Sequence, residues 1–311
     1  MNLEQLRGFV EVARLGHFTR ASESLHLAQP SLSRQISTLE KELGADLFHR
    51  ARGHISLTPA GETLLPRAQR MLAEAESIKE EMGELAGLRR GRVRLGAAPT
   101  LCISLVAETL GTFREEHPGV ELQLLERGSR RLIEQLAVGA VDIALITEST
   151  AHPVAGVSLT RTRLLTEELV AVSSAAKPPI SEGQMVSLAH LATLPLIVFD
   201  HNYSLRATVD AVFESEGFTP NVVLEGAEMD AVLSFVERGV GVAIVPAMVL
   251  LDRPELRSVR IAHDGMRRTV SLAHRADVTP ALAVAKMRRA IISTAAEVAR
   301  RDPAITSLIE D

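Results

Sequence analysis

The stretch QPSLSRQISTLEKELG, Gln29 to Gly44, can lie against its own protein along one side only. Leu32, Ile36, Leu39 and Leu43 return at intervals of three and four, the period of an α-helix, so the segment carries a single apolar stripe. Pro30 falls in the first turn, where a missing N–H costs little, and Gly44 is placed to close the last. The outer side offers Pro30, Ser33, Arg34 and Ser37. A helix divided this way is held down by its leucines and leaves hydroxyls and a guanidinium for something else.

The preceding residues show what it is held against. Leu3, Leu6, Phe9, Val10 and Ala13 predict an amphipathic helix ended by Gly16. Thr19 is expected to cap a short second helix carrying Ala21, Ser22 and Leu25, where the small Ala21 and Ser22 suit a close crossing. Two short helices joined by a turn of about three or four residues make a helix-turn-helix, whose second helix enters the major groove of DNA. In that setting Arg34 donates two bonds to a guanine edge. Ser31, Ser33 and Ser37 reach phosphates or bases, and Gln29 pairs with adenine or a phosphate. The competing reading is an ordinary three-helix core with a solvated face.

After Leu47 and Phe48, the run HRARGHISLTPAG sets Arg50, Arg52 and His54 around Gly53. Ile55 and Leu57 alternate inward, so the segment reads as a small hairpin wing carrying cations to the DNA backbone. Such contacts strengthen binding to all sequences alike and weaken with salt. The net charge of -5 excludes a uniformly basic coat. Residues 1–58 hold seven Arg or Lys against six Asp or Glu, so the position of the cations, not their number, must serve DNA.

Thr58 and Pro59 form a strong helix start. From there Leu64, Ala68, Met71, Ala75, Ile78, Met82 and Leu85 step by four and three, a two-stranded seam over three heptads. Such a seam calls for a partner, most simply the same helix of a second copy; packing on its own chain is the alternative. GLRRGR, Gly87 to Arg92, reads as a hinge.

A different texture follows. Strand-like runs at 92–97, 120–126 and 141–146 alternate with helical segments near 101–116 and 129–138, an α/β pattern. LIEQLAVGAVDIALI and VLSFVERGVGVAIVP both run helix, glycine, strand, with Gly139 and Gly239 one hundred residues apart. We read two similar lobes, about 92–163 and 168–263, with 269–275 crossing back and a terminal helix from about 280 on the first lobe. A cleft between lobes is the usual place for a small ligand. Its candidate lining follows the strand ends: Pro99, Thr100, Leu101 and Cys102; Gly128 and Ser129 after Arg127; Thr147; Phe199 and Tyr203; and Pro246. Thr100 is the leading candidate, its rival role being a helix cap. Free N–H groups near 99–102 and Arg127 favour an anion, whereas Leu101, Phe199 and Tyr203 accommodate an aromatic body. Cys102 is expected to be a wall or packing residue. As the chain's one cysteine it gives no internal disulfide and fits a reducing compartment.

Residues 9–61 resemble the DNA-binding domain of LysR-type transcriptional regulators, and the order of that domain, a long helix and two lobes extends the resemblance over nearly the whole chain. Ala21-Ser22 departs slightly from the family's usual alanine pair. The resemblance implies an α/β chain made of four parts. These are a winged helix-turn-helix at 1–58, a dimerisation helix at 59–88, a hinge at 89–91, and a two-lobe effector domain at 92–311 like that of periplasmic binding proteins. The first lobe of that domain also takes in 269–311. It places residues matching Gln29, Pro30, Ser33 and Arg34 on the recognition helix, Arg50 and Arg52 near the backbone, and Thr100, Ser129 and Thr147 in an inducer pocket. It further implies a dimer, commonly doubled to a tetramer, on promoter DNA. Such a regulator is an effector-responsive activator that represses its own gene, with RNA polymerase a possible partner and a small metabolite as effector. The alternative is an architectural or repressor DNA-binding protein with no small-molecule response.

Other classes find little support. No nucleophile elbow, HExxH pair, Walker loop or dinucleotide glycine fingerprint is present, and the histidines lack metal-ligand spacing, so neither enzyme, metal nor cofactor is expected. The opening MNLEQLRGFVEVARLG has no cationic head before an apolar run, which predicts no secretory signal. Without a membrane-length apolar stretch, a cytoplasmic protein is expected. A free-standing solute-binding module would suit the lobes but not the helix-turn-helix.

Overall fold

The computed structural model describes residues 1–51, 54–85, 91–148, 158–201, 203–226 and 228–309. They divide into two compact units, one spanning Met1–Gly91 with Glu134–Val141, the other Arg92–Ile133 with Asp142–Asp311.

The first unit opens with α1 (Leu3–Leu15), α2 (Phe18–Ser24) and α3 (Gln29–Leu43). Asn2 starts α1 with a reciprocal cap: its carboxamide oxygen accepts from the Gln5 N–H at 2.9 Å, and the Gln5 side chain accepts from the Asn2 N–H at 2.8 Å. Gly16 ends α1 and Gly44 ends α3, both left-handed at φ 63 and 69. Thr19 does not cap α2. The ring of His17 does, accepting from the Thr19 N–H, because the helix begins a residue before Thr19, at Phe18.

The core of this unit gathers Leu6, Phe9, Val12, Ala21, Leu32, Ile36, Leu39, Leu47 and Phe48, all buried. Leu43 is not among them: at the end of α3 it is 43% exposed, so the inward stripe stops one turn short of the prediction. Two glycines set the closest approaches. A Cβ on Gly8 would lie 2.7 Å from Leu32 Cδ1, which lets α1 press on α3. A Cβ on Gly61 would meet the Leu47 carbonyl at 2.2 Å. Phe48 packs between Phe9, tilted against it at 5.4 Å, and Phe18, edge-on at 5.9 Å between ring centroids.

Strands β1 (Phe48–Ala51) and β2 (His54–Leu57) pair antiparallel, Phe48 opposite Leu57. Thr58 then closes the hairpin and opens α4 (Pro59–Leu85): its hydroxyl donates to the Asp46 carbonyl at 2.6 Å and accepts from the Gly61 N–H at 3.1 Å. At about 1.5 Å per residue, the 27 residues of α4 run roughly 40 Å. Pro66 lies inside it, where the ring removes one helical hydrogen bond.

The second unit begins with β3 (Arg92–Ala97) and α5 (Pro99–Leu101). A π-helical turn at Cys102–Val106 then leads into α6 (Ala107–Glu116). There follow β4 (Glu121–Glu126), α7 (Ser129–Ala137, of which the residues from Glu134 group with the first unit), β5 (Ile143–Glu148) and the long β6 (Leu159–Ser174). Next come β7 (Met185–Val186), α8 (Leu188–Thr193), β8 (Leu196–Phe199), α9 (Ser204–Ser215), β9 (Val222–Gly226), α10 (Met229–Glu237) and β10 (Val242–Pro246). The unit closes with β11 (Leu256–Ile261), β12 (Arg267–Arg275), α11 (Leu282–Ala299) and β13 (Ile305–Ser307).

The main path of the sheet is β4-β3-β5-β12-β6-β10-β8-β9. Within it, β4-β3-β5 and β9-β8-β10 are the same parallel order, second-first-third, each joined by helices. The repeat noticed at Gly139 and Gly239 is therefore structural. Both glycines are left-handed, at φ 74 and 73, and both helices end in the same pair of hydrogen bonds. Gly139 N–H donates to Leu136 and Ala140 N–H to Gln135; Gly239 N–H donates to Val236 and Val240 N–H to Phe235.

β6 is the strand that both halves use. Leu159–Glu168 pairs antiparallel with β12, and from Leu169 onward the strand pairs with β10. Buried strands such as LIVF in β8 and VAIVP in β10 are apolar throughout, as strands covered on both faces must be.

Gly61→Ala is expected to destabilise the first unit by about 1–3 kcal/mol through the clash with the Leu47 carbonyl. Gly111→Ala, with nothing within 4 Å, should instead be neutral or gain up to about 1 kcal/mol. Thermal unfolding of the two full-length variants measures both; equal transitions would contradict the packing at Gly61.

Candidate functional site

The face of α3 turned away from the core carries Gln29, Pro30, Ser31 and Arg34 exposed, with Ser33 and Ser37 half-buried. The Gln29 carboxamide donates to the Ser33 hydroxyl at 3.2 Å, and Thr38 Oγ1 donates to the Arg34 carbonyl. The guanidinium of Arg34 makes no hydrogen bond or ion pair among the described residues. The turn before α3, Leu25–Ala28, is tied by Leu27 N–H to the Ser22 carbonyl at 2.8 Å and places His26 at φ 54. Buried Ala21 and Ser22 let the two helices cross. A residue missed in the sequence orders the far end: Glu40, on the buried side of α3, accepts from the Leu47 N–H at 3.0 Å. Its signal was a charge on the leucine side of the helix. Arg50 has its backbone in β1, opposite Ile55; Arg52 and Gly53 lie outside the described residues.

The seam of α4 divides in two. Leu64 and Ala68 pack on the unit's own core, Ala68 completely buried. Met71, Ile78 and Met82 are 44, 52 and 54% exposed among the described residues, a continuing and largely uncovered apolar stripe. The start of the predicted seam is thus taken up within its own unit, where α1 packs on α4, and only the later turns leave their apolar residues exposed. The proposed hinge residues Arg89 and Arg90 lie outside the described residues.

In the second unit the candidate residues lie at the carboxyl ends of the parallel strands, the edge at which open α/β sheets commonly take ligands. Pro99, Thr100, Leu101 and Cys102 follow β3, Gly128 and Ser129 follow β4, and Thr147 ends β5. Phe199 and Tyr203 follow β8, and Pro246 ends β10. Ser129 and Thr147 meet: their hydroxyls are 3.1 Å apart, and the Thr147 N–H donates to Ser129 Oγ at 3.0 Å. Phe199 and Tyr203 stack at 5.0 Å and 22°. Leu101 is wholly buried in the apolar core and presents no surface; Pro246 is likewise buried and pairs with Leu169 in the sheet. Arg127 and Gly128 are exposed, and Arg127 donates to the carbonyl of Glu126.

Thr100 is not an ordinary helix cap. Its buried hydroxyl accepts from Arg268 Nη1 at 2.8 Å. Arg268 Nε donates to Glu167 Oε1 at 2.8 Å, and the other oxygen of that carboxylate accepts from the Met248 N–H at 3.0 Å. Glu167 is entirely buried, and an ion pair so desolvated is tolerable only because both oxygens are engaged. Sequence reading missed Arg268 and Glu167. Their signal was two adjacent charge pairs inside strands, Glu167-Glu168 and Arg267-Arg268, which the antiparallel register sets opposite each other. The π-turn after Thr100 is a further irregularity of a kind frequent at functional sites.

Burial pushes the Cys102 thiol up to about 12, with the Glu126 carboxylate adding to it. Burial also pushes the Tyr203 phenol up to about 12; Glu228 and Glu126 reinforce the rise and Arg268 opposes it. Among the described residues no group of three or more His, Cys, Asp and Glu is placed to hold a metal, and no helix is long and apolar enough to cross a membrane.

Two family models match the chain: a bacterial regulatory helix-turn-helix protein of the lysR family over residues 3–62, and the LysR substrate binding domain over 86–296. The HTH-type transcriptional regulator YybE of Bacillus subtilis, itself uncharacterized, is 34% identical over 274 residues, covering 88% of this chain and 92% of that one. A full-length OxyR variant of Pseudomonas aeruginosa superposes with a TM-score of 0.71 at 23% identity, covering 100% of this chain and 99% of the other. Full-length CbnR in complex with its target DNA gives 0.64 at 23% identity, covering 96 and 100%.

With burial pushing its thiol up to about 12, Cys102 at pH 8 is expected to hold roughly a thousandfold less thiolate than a thiol at its ordinary value and to react with a disulfide reagent at least about tenfold more slowly. Reaction at the ordinary rate in the folded chain, without unfolding by denaturant, would contradict the burial described.

Proposed function

This chain belongs to the LysR family of bacterial transcriptional regulators, DNA-binding proteins and not enzymes, and from that premise we propose how its parts divide the work. Residues 1–58 form the winged helix-turn-helix, 59–88 the dimerisation helix, 89–91 the hinge and 92–311 the effector domain. α3 enters a major groove, with Gln29, Pro30, Ser31, Ser33, Arg34 and Ser37 facing the duplex and Arg50 and Arg52 beside the backbone.

The observation that carries this reading is the state of Arg34. It lies exposed on the side of α3 opposite buried Leu32, Ile36 and Leu39, without an acid to neutralise it among the described residues. An arginine left free on a helix that presents polar groups is suited to a guanine edge. The near balance of charge in residues 1–58 then makes position the source of affinity.

The exposed stripe of Met71, Ile78 and Met82 supports pairing of α4 with its copy in a dimer, which can double to a tetramer. Two recognition helices so linked suit an imperfect inverted repeat in promoter DNA. In the effector domain, Thr100, Cys102, Ser129, Thr147, Phe199 and Tyr203 serve a small metabolite. Its binding favours one arrangement of lobes and subunits, and so alters DNA bending. The protein acts in the cytoplasm, represses its own gene and activates a neighbouring operon where RNA polymerase is recruited.

Arg34→Ala is expected to cost about 1–3 kcal/mol of specific binding and to relax preference at one base pair, leaving the second unit folded. A footprint titration with unchanged affinity and sequence preference would refute the assignment. Ile78→Glu should shift the full-length protein towards monomer in analytical ultracentrifugation and weaken operator binding; an unaltered assembly would remove this stripe from the dimer contact.

A further inference from the structure

We propose that the second unit holds a further ligand site, apart from the strand ends, which takes a small organic monoanion with an apolar body and sets its charge on Arg257.

The site is a cavity of about 570 Å³ where β11, the residues leading into β7 and the chain after α11 come together. That volume is enough to enclose a small organic molecule. The cavity is separate from the edge that carries the candidates named above. β10 and β11 both pair with the Val170–Val172 stretch of β6, so they take opposite edges of that strand. Arg257, Ser258, Val259 and Arg260 of β11 line the cavity, whereas Thr100, Ser129, Thr147, Phe199 and Tyr203 take no part in it.

The lining sorts into two kinds. Val170, Ile180, Ala247, Leu250, Val259 and Ala304 supply apolar surface. Ser181, Gln184, Arg257, Ser258 and Arg260 supply hydrogen-bond donors. Ser173, on the same wall, has a buried hydroxyl with no partner among the described residues, a further donor for an acceptor oxygen.

Charge selects among possible occupants. Arg257 donates Nη1 to the Lys177 carbonyl at 3.2 Å and Nη2 to the Ala175 carbonyl at 3.3 Å, which fixes its guanidinium without neutralising it. No carboxylate pairs with it among the described residues. Arg260 is already answered, since Glu168 accepts from it and from Arg267. Asp302, the one acid lining the cavity among the described residues, has an oxygen engaged by the Ala304 N–H at 2.8 Å. Three arginines set against Glu168 and Asp302 leave one positive charge, on Arg257. A single negative charge meets it in the charge-assisted geometry that arginine favours. A second would face Asp302 and Glu168 with no arginine of its own, and a neutral molecule would leave Arg257 unused.

Occupancy reaches beyond the cavity. Ala247 and Leu250 belong to the 3-10 turn Ala247–Leu250 that follows β10, and the Met248 N–H of that turn donates to Glu167. A molecule packed on the turn steadies the backbone that holds this buried carboxylate, so binding raises the thermal transition.

The probe is 8-anilinonaphthalene-1-sulfonate, an aromatic body with one fixed negative charge, titrated into the full-length protein beside the uncharged N-phenyl-1-naphthylamine and followed by dye fluorescence. The sulfonate is expected to bind about tenfold more tightly than the neutral dye and to raise the thermal transition. Arg257→Gln should remove that preference. Ser258→Phe, which fills the cavity from an exposed position, should weaken both dyes about tenfold, while Tyr203→Phe at the strand ends should leave both titrations unchanged. Thermal transitions without dye show that each variant is folded. Equal affinity for the two dyes would overturn the anion, and full binding in Ser258→Phe would overturn the cavity as the site. Weakening by Tyr203→Phe in place of Ser258→Phe would put the dye at the strand ends, overturning this proposal and leaving the ligand reading of that edge intact. Absence of dye binding would overturn it as well.

Discussion

One strand holds the second unit together. β6 serves β12 with its first ten residues and β10 with its last, so the two parallel halves share a backbone ladder instead of meeting only through side chains. At the point of exchange sit Glu167, fully buried, and its partner Arg268. A bare carboxylate there would be intolerable, and the guanidinium together with the Met248 N–H makes it acceptable. Thr100, the residue singled out as the leading ligand contact, is held by the other arm of the same arginine. The two halves thus do not merely lie near each other; they share a strand, and this buried pair sits at the joint.

The first unit depends on a simpler constraint. α3 has to be fixed without using its outer side, and three leucine and isoleucine side chains with Gly8 opposite achieve it. Because α1 also takes Leu64 and Ala68 of α4, the long helix starts as part of this core and becomes an uncovered stripe only from Met71. One helix therefore serves two packing tasks in succession.

How much of this was legible follows from which interactions are local. The α3 face, its terminal glycine, Thr58 as the start of α4 and the Gly139–Gly239 repeat were readable, since period and caps are written within a dozen residues. The cap of α2 was misplaced because Thr19 is the commoner capping type and the His17 ring performs the task two residues earlier than the pattern suggests. Leu43 was assigned inward on spacing alone, but a stripe has no way to announce where the surface beneath it ends. In the second unit, the strand-end rule picked out Thr100, Ser129, Thr147, Phe199 and Tyr203, which do follow or end parallel strands. Leu101 and Phe199, drawn in by the same rule, are both buried in the apolar core, and Pro246 is buried in the sheet. Arg268 and Glu167 stayed hidden because the pair spans 101 residues, and only the register of two strands brings them opposite.

The proposed function rests on paired copies of this chain presenting α3 to a duplex. The direct test is a footprint of the purified full-length protein on the DNA upstream of its own gene, at several salt concentrations. The expected result is two protected half-sites about one helical turn apart, or a multiple of it, with affinity falling linearly in logarithmic salt. A folded protein that leaves this DNA unprotected at low salt, with and without cell extract, would contradict it.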